Sequence, residues 1–411
     1  MSINCSSVSN DAGAAPVTLS LSRGVALLFS VACGLAVANV YYAQPLLDTI
    51  ADTFGISHAN VGIVITVTQI GYGAGLLLIV PLGDLLDRRR LILGQSLLSV
   101  LALLAVAFAP TSVALLAGMA MVGLLAVVTQ VLVAYAAHLA DPSERGRIVG
   151  VVTSGIVLGI LLARSVSGTL SDLFGWRSVY LVSAVATLLV IAALSQALPR
   201  QTERSARVSY PRLIGSVFML FVEEPVLRVR AVLALLIFAA ITTLLTPMVL
   251  PLAAPPFSLS HTEIGLFGLA GAAGALGASR AGRLSDRGFA QRTTGIGLIL
   301  MFLSWGVIAL LPWSLWSLVV GVVAIDFGLQ SVHVANQSLI YRVRPEARSR
   351  LVAGYMLFYS LGSASGSIGS TLIYAEAGWN GVCLLGAVLS GTAFLFWAFT
   401  RHLTPEMRKG S

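Results

Sequence analysis

The sequence predicts an all-α membrane protein with about twelve transmembrane helices in two pseudo-symmetric six-helix bundles. Three observations carry this. The apolar content exceeds what a soluble core can bury, the apolar runs have spanning length and are separated by short polar turns, and the second half of the chain repeats landmarks of the first.

Hydrophobic residues make up 57% of the 411-residue chain, charged residues 10%, and the mean hydropathy is +0.91. Lipid is the solvent that such a composition requires. A spanning helix takes about 20 apolar residues, and the chain minus its loops holds roughly twelve of them. The formal charge of +8 does not indicate nucleic acid, because the basic residues fall in short clusters between apolar stretches and form no continuous patch. Of the three cysteines, Cys5 lies in the polar amino-terminal tail and Cys33 and Cys383 fall inside apolar spans, so neither a disulfide framework nor a metal site is expected, and no cofactor. Residues 1–20 lack the pattern of a cleavable signal peptide, which leaves the first span as the expected insertion signal.

Apolar runs bounded by charge, proline or glycine place helices near 22–50, 59–82, 91–109, 112–139, 148–171, 178–198, 229–253, 262–281, 293–311, 313–340, 351–375 and 380–400. With a cytoplasmic amino terminus, all but two of the 25 Lys and Arg residues fall in cytoplasmic segments; the exceptions are Arg164, inside a span, and Arg177, in an external turn. This asymmetry predicts a multi-pass protein of the inner (plasma) membrane with both termini cytoplasmic. Arg230 is counted among those cytoplasmic residues. Between Leu198 and Arg228 the chain turns polar and arginine-rich, then carries an apolar run from Leu213 to Val222 that is too short to span. Pro211 suits the first turn of a helix, so an interfacial helix is expected here. The domains are read as 1–198, an amino-terminal six-helix bundle, 199–228, a cytoplasmic linker, and 229–411, a carboxy-terminal six-helix bundle.

The duplication has three landmarks in the same order. Gly175-Trp176 through Val185 lines up with Gly378-Trp379 through Val388, and Pro142 to Arg147 with Pro345 to Arg350, both at an offset of 203; Gly83 to Asp87 lines up with Gly282 to Asp286 at an offset of 199. Parallel six-helix repeats follow, with a substrate site expected near the midplane between them. At these residues the chain resembles the major facilitator superfamily over essentially its whole length. The loop from Gly282 through Asp286 and Arg287 to Arg292 fits the superfamily's signature loop, and Gly83 to Arg90 is similar to a shortened form of it. The stretch from Pro45 to Ser57 is similar to the first-helix exit of bacterial drug, sugar and nucleoside exporters of the proton-antiporter type. Two departures stand out: Ile160 follows Gly159 where the exporter signature of the fifth helix has a proline, and Gly118 or Met119 occupies the place of the fourth-span arginine of many related exporters.

The resemblance implies a conformational latch formed by Gly83, Asp87, Arg88, Gly282, Asp286 and Arg287. By pseudo-symmetry Asp87 is expected beside the start of the helix after Arg350, and Asp286 beside the start of the helix after Arg147, where a carboxylate meets the positive end of a helix. Glycines recur along four spans, at 71, 73 and 75, at 155 and 159, at 271, 274 and 277, and at 362, 366 and 369. Close helix approach needs such spacing, and the resemblance places these faces between the halves.

Ionisable groups inside spans are the sharpest functional clue, since each costs roughly 2.5–3.5 kcal/mol at a helix centre unless compensated. Arg164 in the fifth span and Asp326 in the tenth are read as a proton-coupling pair, together with His333, with Asp48 as an alternative partner for Arg164. Asp326, Gln330, His333, Asn336 and Gln337 recur at spacings of three and four, most of them on one helical face. Asn39, Tyr41, Tyr42 and Gln44 on the first span, Gln69 and Tyr72 on the second, Gln130 on the fourth, and Gln330 and Asn336 on the tenth are the candidate substrate-binding groups, suited to a mostly apolar pocket with a few orienting hydrogen bonds.

The function expected is secondary active transport: proton-coupled efflux of a small organic molecule by alternating access, with an importer or uniporter of a small metabolite as the alternative. The expected partners are the substrate, protons and the lipid bilayer, with no nucleic acid, and the expected state is a monomer. No nucleophile constellation, metal motif or phosphate loop points to an enzyme.

Overall fold

The computed structural model describes residues 23–141, 144–198, 209–344 and 347–403. The helices are α1 Arg23–Tyr41, α2 Leu47–Phe54, α3 Ile63–Leu78, α4 Arg88–Ala107, α5 Ser112–Ala126, α6 Val128–Leu139, α7 Arg145–Phe174, α8 Trp176–Ala197, α9 Tyr210–Glu223, α10 Pro225–Leu245, α11 Val249–Ala253, α12 His261–Leu266, α13 Ala272–Asp286, α14 Ala290–Ile308, α15 Leu315–Val343 and α16 Arg348–Thr400.

Among the described residues, nine segments are long and apolar enough to cross a membrane. One of them, Arg350–Leu403, holds two spans, because α16 folds back at Gly378 (φ 60°, ψ −156°). The 19-residue α14 and the broken run His261–Asp286 complete twelve. That run is interrupted by a 3₁₀ turn, Phe267–Gly271, and its last part carries Arg280, Arg283 and Asp286, which dilutes its hydropathy. The first span is also jointed: Pro45 sits in a 3₁₀ turn, Gln44–Leu46, between α1 and α2. Helix starts follow local chemistry. Asp87 caps α4 by accepting from the Arg89 amide, Thr111 caps α5 through the Ala114 amide, and Ser260 with Glu263 forms a capping box on α12.

The repeat is visible in backbone geometry. Gly175 (φ 81°, ψ 157°) separates α7 from α8 as Gly378 divides α16, and the tryptophan after each glycine is buried. Both indoles donate inside their own half, Trp176 Nε1 to Thr53 Oγ1 at 3.2 Å and Trp379 Nε1 to the Ile308 carbonyl at 3.1 Å.

The predicted interfacial helix is α9, with Pro211 in its first turn; residues 199–208, the arginine-rich start of the expected linker, lie outside the described residues. Val217 and Leu220 are buried while Phe218, Met219 and Val222 are exposed. This helix touches both halves, through Tyr210 Oη donating to the Leu78 carbonyl and Phe221 packing on Phe358. The end of the molecule that carries α9 is called here the linker end, and the opposite one the far end.

The glycine faces correct the sequence reading. Gly71 and Gly75 meet the backbone of α5, Gly155 and Gly159 that of α1, and Gly362 and Gly366 that of α10, while Gly271, Gly274 and Gly277 face α15. Apart from Gly271, whose added Cβ would also meet Leu161 of α7 at 3.0 Å, these contacts lie within one half, because close backbone approach is what builds each bundle. Of the expected set, Gly73 does face the other half, against Ser360 and Leu357. At the far end other glycines join the halves: Gly168 abuts the His261 backbone, Gly265 abuts the Arg164 carbonyl, and Gly62 abuts the Ser367 carbonyl. Hydrogen bonds from Ser165 to the Gly265 carbonyl (3.0 Å), Thr66 to the Ala364 carbonyl (2.9 Å) and Ser367 to the Gly62 carbonyl (3.1 Å) accompany them. Toward the linker end α7 and α13 turn to partners in their own halves, and a cleft there is lined by Arg88 and Gln130 from the first half, Leu213 and Val217 of α9, and Arg350 and Ala353 from the second. The halves are therefore closed on each other at the far end and part toward the linker end.

Candidate functional site

Two intramembrane charges face each other across the halves. Arg164, on α7, is 8% exposed; its Nε donates to Gln44 Oε1 at 2.8 Å and its guanidinium lies 5.6 Å from the Tyr41 ring centroid. The joint at Pro45 is what turns Gln44 toward α7. Asp326, on α15, belongs to the other half. The 3₁₀ turn Phe267–Gly271 separates the two, and its glycines make room for both: a Cβ at Gly268 would lie 3.0 Å from Arg164 Cβ, and one at Gly271 would lie 2.7 Å from Asp326 Oδ2. Among the described residues no ion pair within 4.0 Å joins them. Sequence alone gives the pair but not this separation. Asp48 is not the partner of Arg164: its carboxylate faces His261 at 3.1 Å, because α2 leads it past Arg164 to the far end.

An aromatic and amide cluster continues from this pair toward the linker end. Tyr41 Oη and Tyr359 Oη are 2.8 Å apart across the halves. Tyr72 packs edge-on to Tyr359 at 6.3 Å, and Gln130 Nε2 donates to Tyr72 Oη at 3.4 Å. Gln69 is buried, and its Oε1 has no partner. Phe238 lies 4.2 Å from the Tyr359 ring and 5.2 Å from His333, centroid to centroid. His333 Nδ1 is 2.9 Å from Tyr355 Oη, and Gln337 Nε2 is 3.3 Å from His333 Nε2.

On α15, Asp326, Gln330, His333 and Gln337 are half-buried at spacings of 4, 3 and 4, which is one helical face. Asn336 lies off that face and is fully buried, its Oδ1 accepting from Arg230 Nη1 at 3.2 Å. Arg230 is thus not a surface cation: α10 begins at Pro225, and this buries Arg230 completely inside the bundle. Gln330 lies over Gly274 of its own half. Asn39 turns away from the space between the halves, its Oδ1 accepting from the Ser183 hydroxyl of α8, and Tyr42 is buried in the core. The Asn39–Ser183 bond ties α1 to α8 within the first bundle. Tyr355, Tyr359 and Phe238 were absent from the sequence reading, as single aromatic residues in an apolar helix give no signal of facing.

The latch residues are placed as follows. Asp87 caps its own α4, with the Arg89 amide at 2.8 Å, and does not approach the helix after Arg350, because the halves part at this end. Arg88 Nε donates to the Gly83 carbonyl at 3.1 Å and lines the same cleft as Arg350. Gly282 packs toward Val334, Arg287 is exposed, and the Asp286 side chain lies outside the described residues.

The family model of the Major Facilitator Superfamily matches residues 28–340 and, separately, residues 231–411. The chain belongs to the major facilitator superfamily. The two matches overlap and together run from residue 28 to residue 411. Uncharacterized transporter YgaY of Escherichia coli O157:H7 is 48% identical over 377 residues, 92% of this chain and 95% of that protein. A Mannheimia succiniciproducens protein named "Probable sugar efflux transporter" is 23% identical over 359 residues, 86% of this chain and 87% of that one. The crystal structure of a bacterial homologue of the human lysosomal transporter Spinster has the same fold, with a TM-score of 0.76 at 17% identity over 93% of this chain and 97% of that one. This superfamily member is a multi-pass membrane transporter of small molecules and not an enzyme.

Proposed function

We propose that this transporter exports a small organic molecule in exchange for protons by alternating access, with Asp326 as the proton-coupling carboxylate and Arg164 as its counter-charge. The observation that carries the reading is that the two charges sit on opposite halves, with Gly268 against Arg164 and Gly271 against Asp326 in the turn between them. Nearby charge and hydration both set a carboxyl group's affinity for a proton. Rocking the halves changes the Asp326–Arg164 separation and the wetness of the cavity together, so the acid loads a proton on one side and releases it on the other. His333, a few turns along the same face, extends the polar path toward the linker end. Substrate binds between Tyr41, Gln69, Tyr72 and Gln130 of the first half and Phe238 and Tyr359 of the second, where the unpartnered Gln69 Oε1 takes a hydroxyl or amine donor and the rings take its apolar faces. The relative named for sugar efflux is consistent with such a ligand.

The bundles are residues 1–198 and 229–411, joined by the linker 199–228, and the unit of transport is the monomer. The basic asymmetry places the linker end and both termini in the cytoplasm of a bacterial inner membrane, so the structure corresponds to the state open inward. The latch residues Asp87, Arg88, Asp286 and Arg287 re-engage when that side closes.

The test uses purified protein in proteoliposomes, with a substrate found by thermal-shift screening of sugars, nucleosides and amphiphilic drugs. Asp326→Asn is expected to retain exchange of bound substrate and to lose accumulation driven by a pH gradient. Retained accumulation removes Asp326 as the coupling group. Gradient-independent uptake into right-side-out vesicles by the unaltered protein would instead establish an importer or uniporter.

A further inference from the structure

We propose that His261 is a proton-operated clasp on the far-end gate: when protonated, it binds Asp48 and Asp172 of the other half at once and holds that end shut. This goes beyond the coupling pair above and does not depend on it.

His261 opens α12 in the second half, and its ring reaches across to the first. Nδ1 lies 2.9 Å from Asp172 Oδ1, in the last turn of α7, and Nε2 lies 3.1 Å from Asp48 Oδ1 and 3.0 Å from Thr49 Oγ1, both on α2. Asp172 is held in place by the Thr262 amide (2.7 Å) and hydroxyl (2.6 Å). A neutral imidazole has one N–H and one lone pair, whereas the imidazolium has two N–H groups. Neutral His261 can donate from Nδ1 to Asp172, but its single lone pair, on Nε2, then faces the Asp48 carboxylate as well as the Thr49 hydroxyl. Protonation turns that repulsion into a charge-assisted hydrogen bond. The two carboxylates carry two negative charges, so the cation also offsets their mutual repulsion.

The other charged groups around α12 do not replace His261. On α7, Arg164 faces Gly265 and Gly268 and is engaged by Gln44. Asp52, one turn beyond Asp48, lies 3.8 Å from His58. Glu263 on α12 itself is used by the Ser260 cap. Arg177 stacks on Trp176 at 4.5 Å. Neither the turn Phe267–Gly271 nor α11 carries a titratable residue. The His261 side chain is 22% exposed, which gives protons access in the closed state.

The hydrogen bond to Asp48 raises the His261 pKa above its ordinary 6.5, burial works against this, and the Asp48 and Asp172 charges add to it. Since the closed state has the raised value, the clasp is fully formed below the open-state value of about 6.5 and is lost as pH rises through the closed-state value. Each unit of that difference multiplies the closed-to-open ratio by about ten.

The experiment places spin labels at Ser57→Cys in the first half and Ala254→Cys in the second, with Cys5, Cys33 and Cys383 replaced by serine, in nanodiscs. Asp326→Asn is included in the background so that the coupling acid contributes no titration. Lowering the pH from about 8 to about 6, the range in which histidine changes charge, is expected to shift the distance distribution toward the short, closed population. His261→Gln keeps a hydrogen-bonding side chain and is expected to abolish the shift, and Asp48→Asn to reduce it. A pH response that survives His261→Gln, or is absent from the background protein, overturns the clasp. If His261→Gln fails to fold, an undiminished response in Asp48→Asn does so.

Discussion

Gly168→Ala should open the far end. The added Cβ would fall on the His261 carbonyl, with the Thr262 amide nitrogen at 3.1 Å, and both are backbone atoms that cannot swing aside as a flexible side chain would. Overpacking of this kind costs about 1–3 kcal/mol. The contact joins the halves only when the far end is closed, so the cost falls on that state, and the closed-to-open ratio should drop roughly 5- to 150-fold. Alanine also gains helix propensity over glycine, by about 0.5–1 kcal/mol, but α7 stays helical in both states and this gain cancels. Gly150→Ala, on the same helix with nothing near the added Cβ, is the control. Spin-label distances across the far end provide the measurement, with fluorescence-detected gel filtration as the check on folding. An unchanged distance distribution in Gly168→Ala would refute the view that this glycine sets the closeness of the gate.

Gly175→Ala and Gly378→Ala should each lower the stability of the detergent-solubilised protein by about 1–3 kcal/mol, because both positions hold a backbone conformation suited to glycine alone; thermal unfolding midpoints that match the unaltered protein would contradict this. Asp87→Asn keeps a good N-cap for α4 but removes the charge, so unchanged stability with a smaller linker-end-closed population is the outcome expected of a latch. Asp87→Ala should in addition cost about 0.5–2 kcal/mol of stability through the lost cap.

The spans were legible because lipid imposes a length and a composition on each one, and the duplication was legible because Gly175-Trp176 and Gly378-Trp379 serve the same hairpin geometry twice. What the sequence could not supply was rotation. A spanning helix is apolar nearly all round, so its period does not say which stripe meets which neighbour, and the glycines at 155 and 159 point to α1 although the far-end glycine of the same helix points to α12. The ends of spans are equally ambiguous. Arg230 lies five residues past Pro225, close enough to the membrane boundary to read as cytoplasmic, yet packing against Asn336 takes it fully inside. Arg164 and Asp326 stood out because charge is rare at membrane depth, while the turn between them that carries Gly268 and Gly271 depends on a break in the eighth span that composition alone does not reveal. His261 escaped notice because it lies just outside the predicted span and its two acids come from distant parts of the chain.

The single-glycine reversal at Gly175 leaves no slack between α7 and α8. A swing of α7 that draws Gly168 away from α12 must carry α8 with it, and α8 presents Val182, Val185, Leu188 and Leu189 outward as exposed apolar surface. Each turnover therefore displaces lipid as well as breaking contacts between the halves. The bilayer is one of the loads against which the gate works.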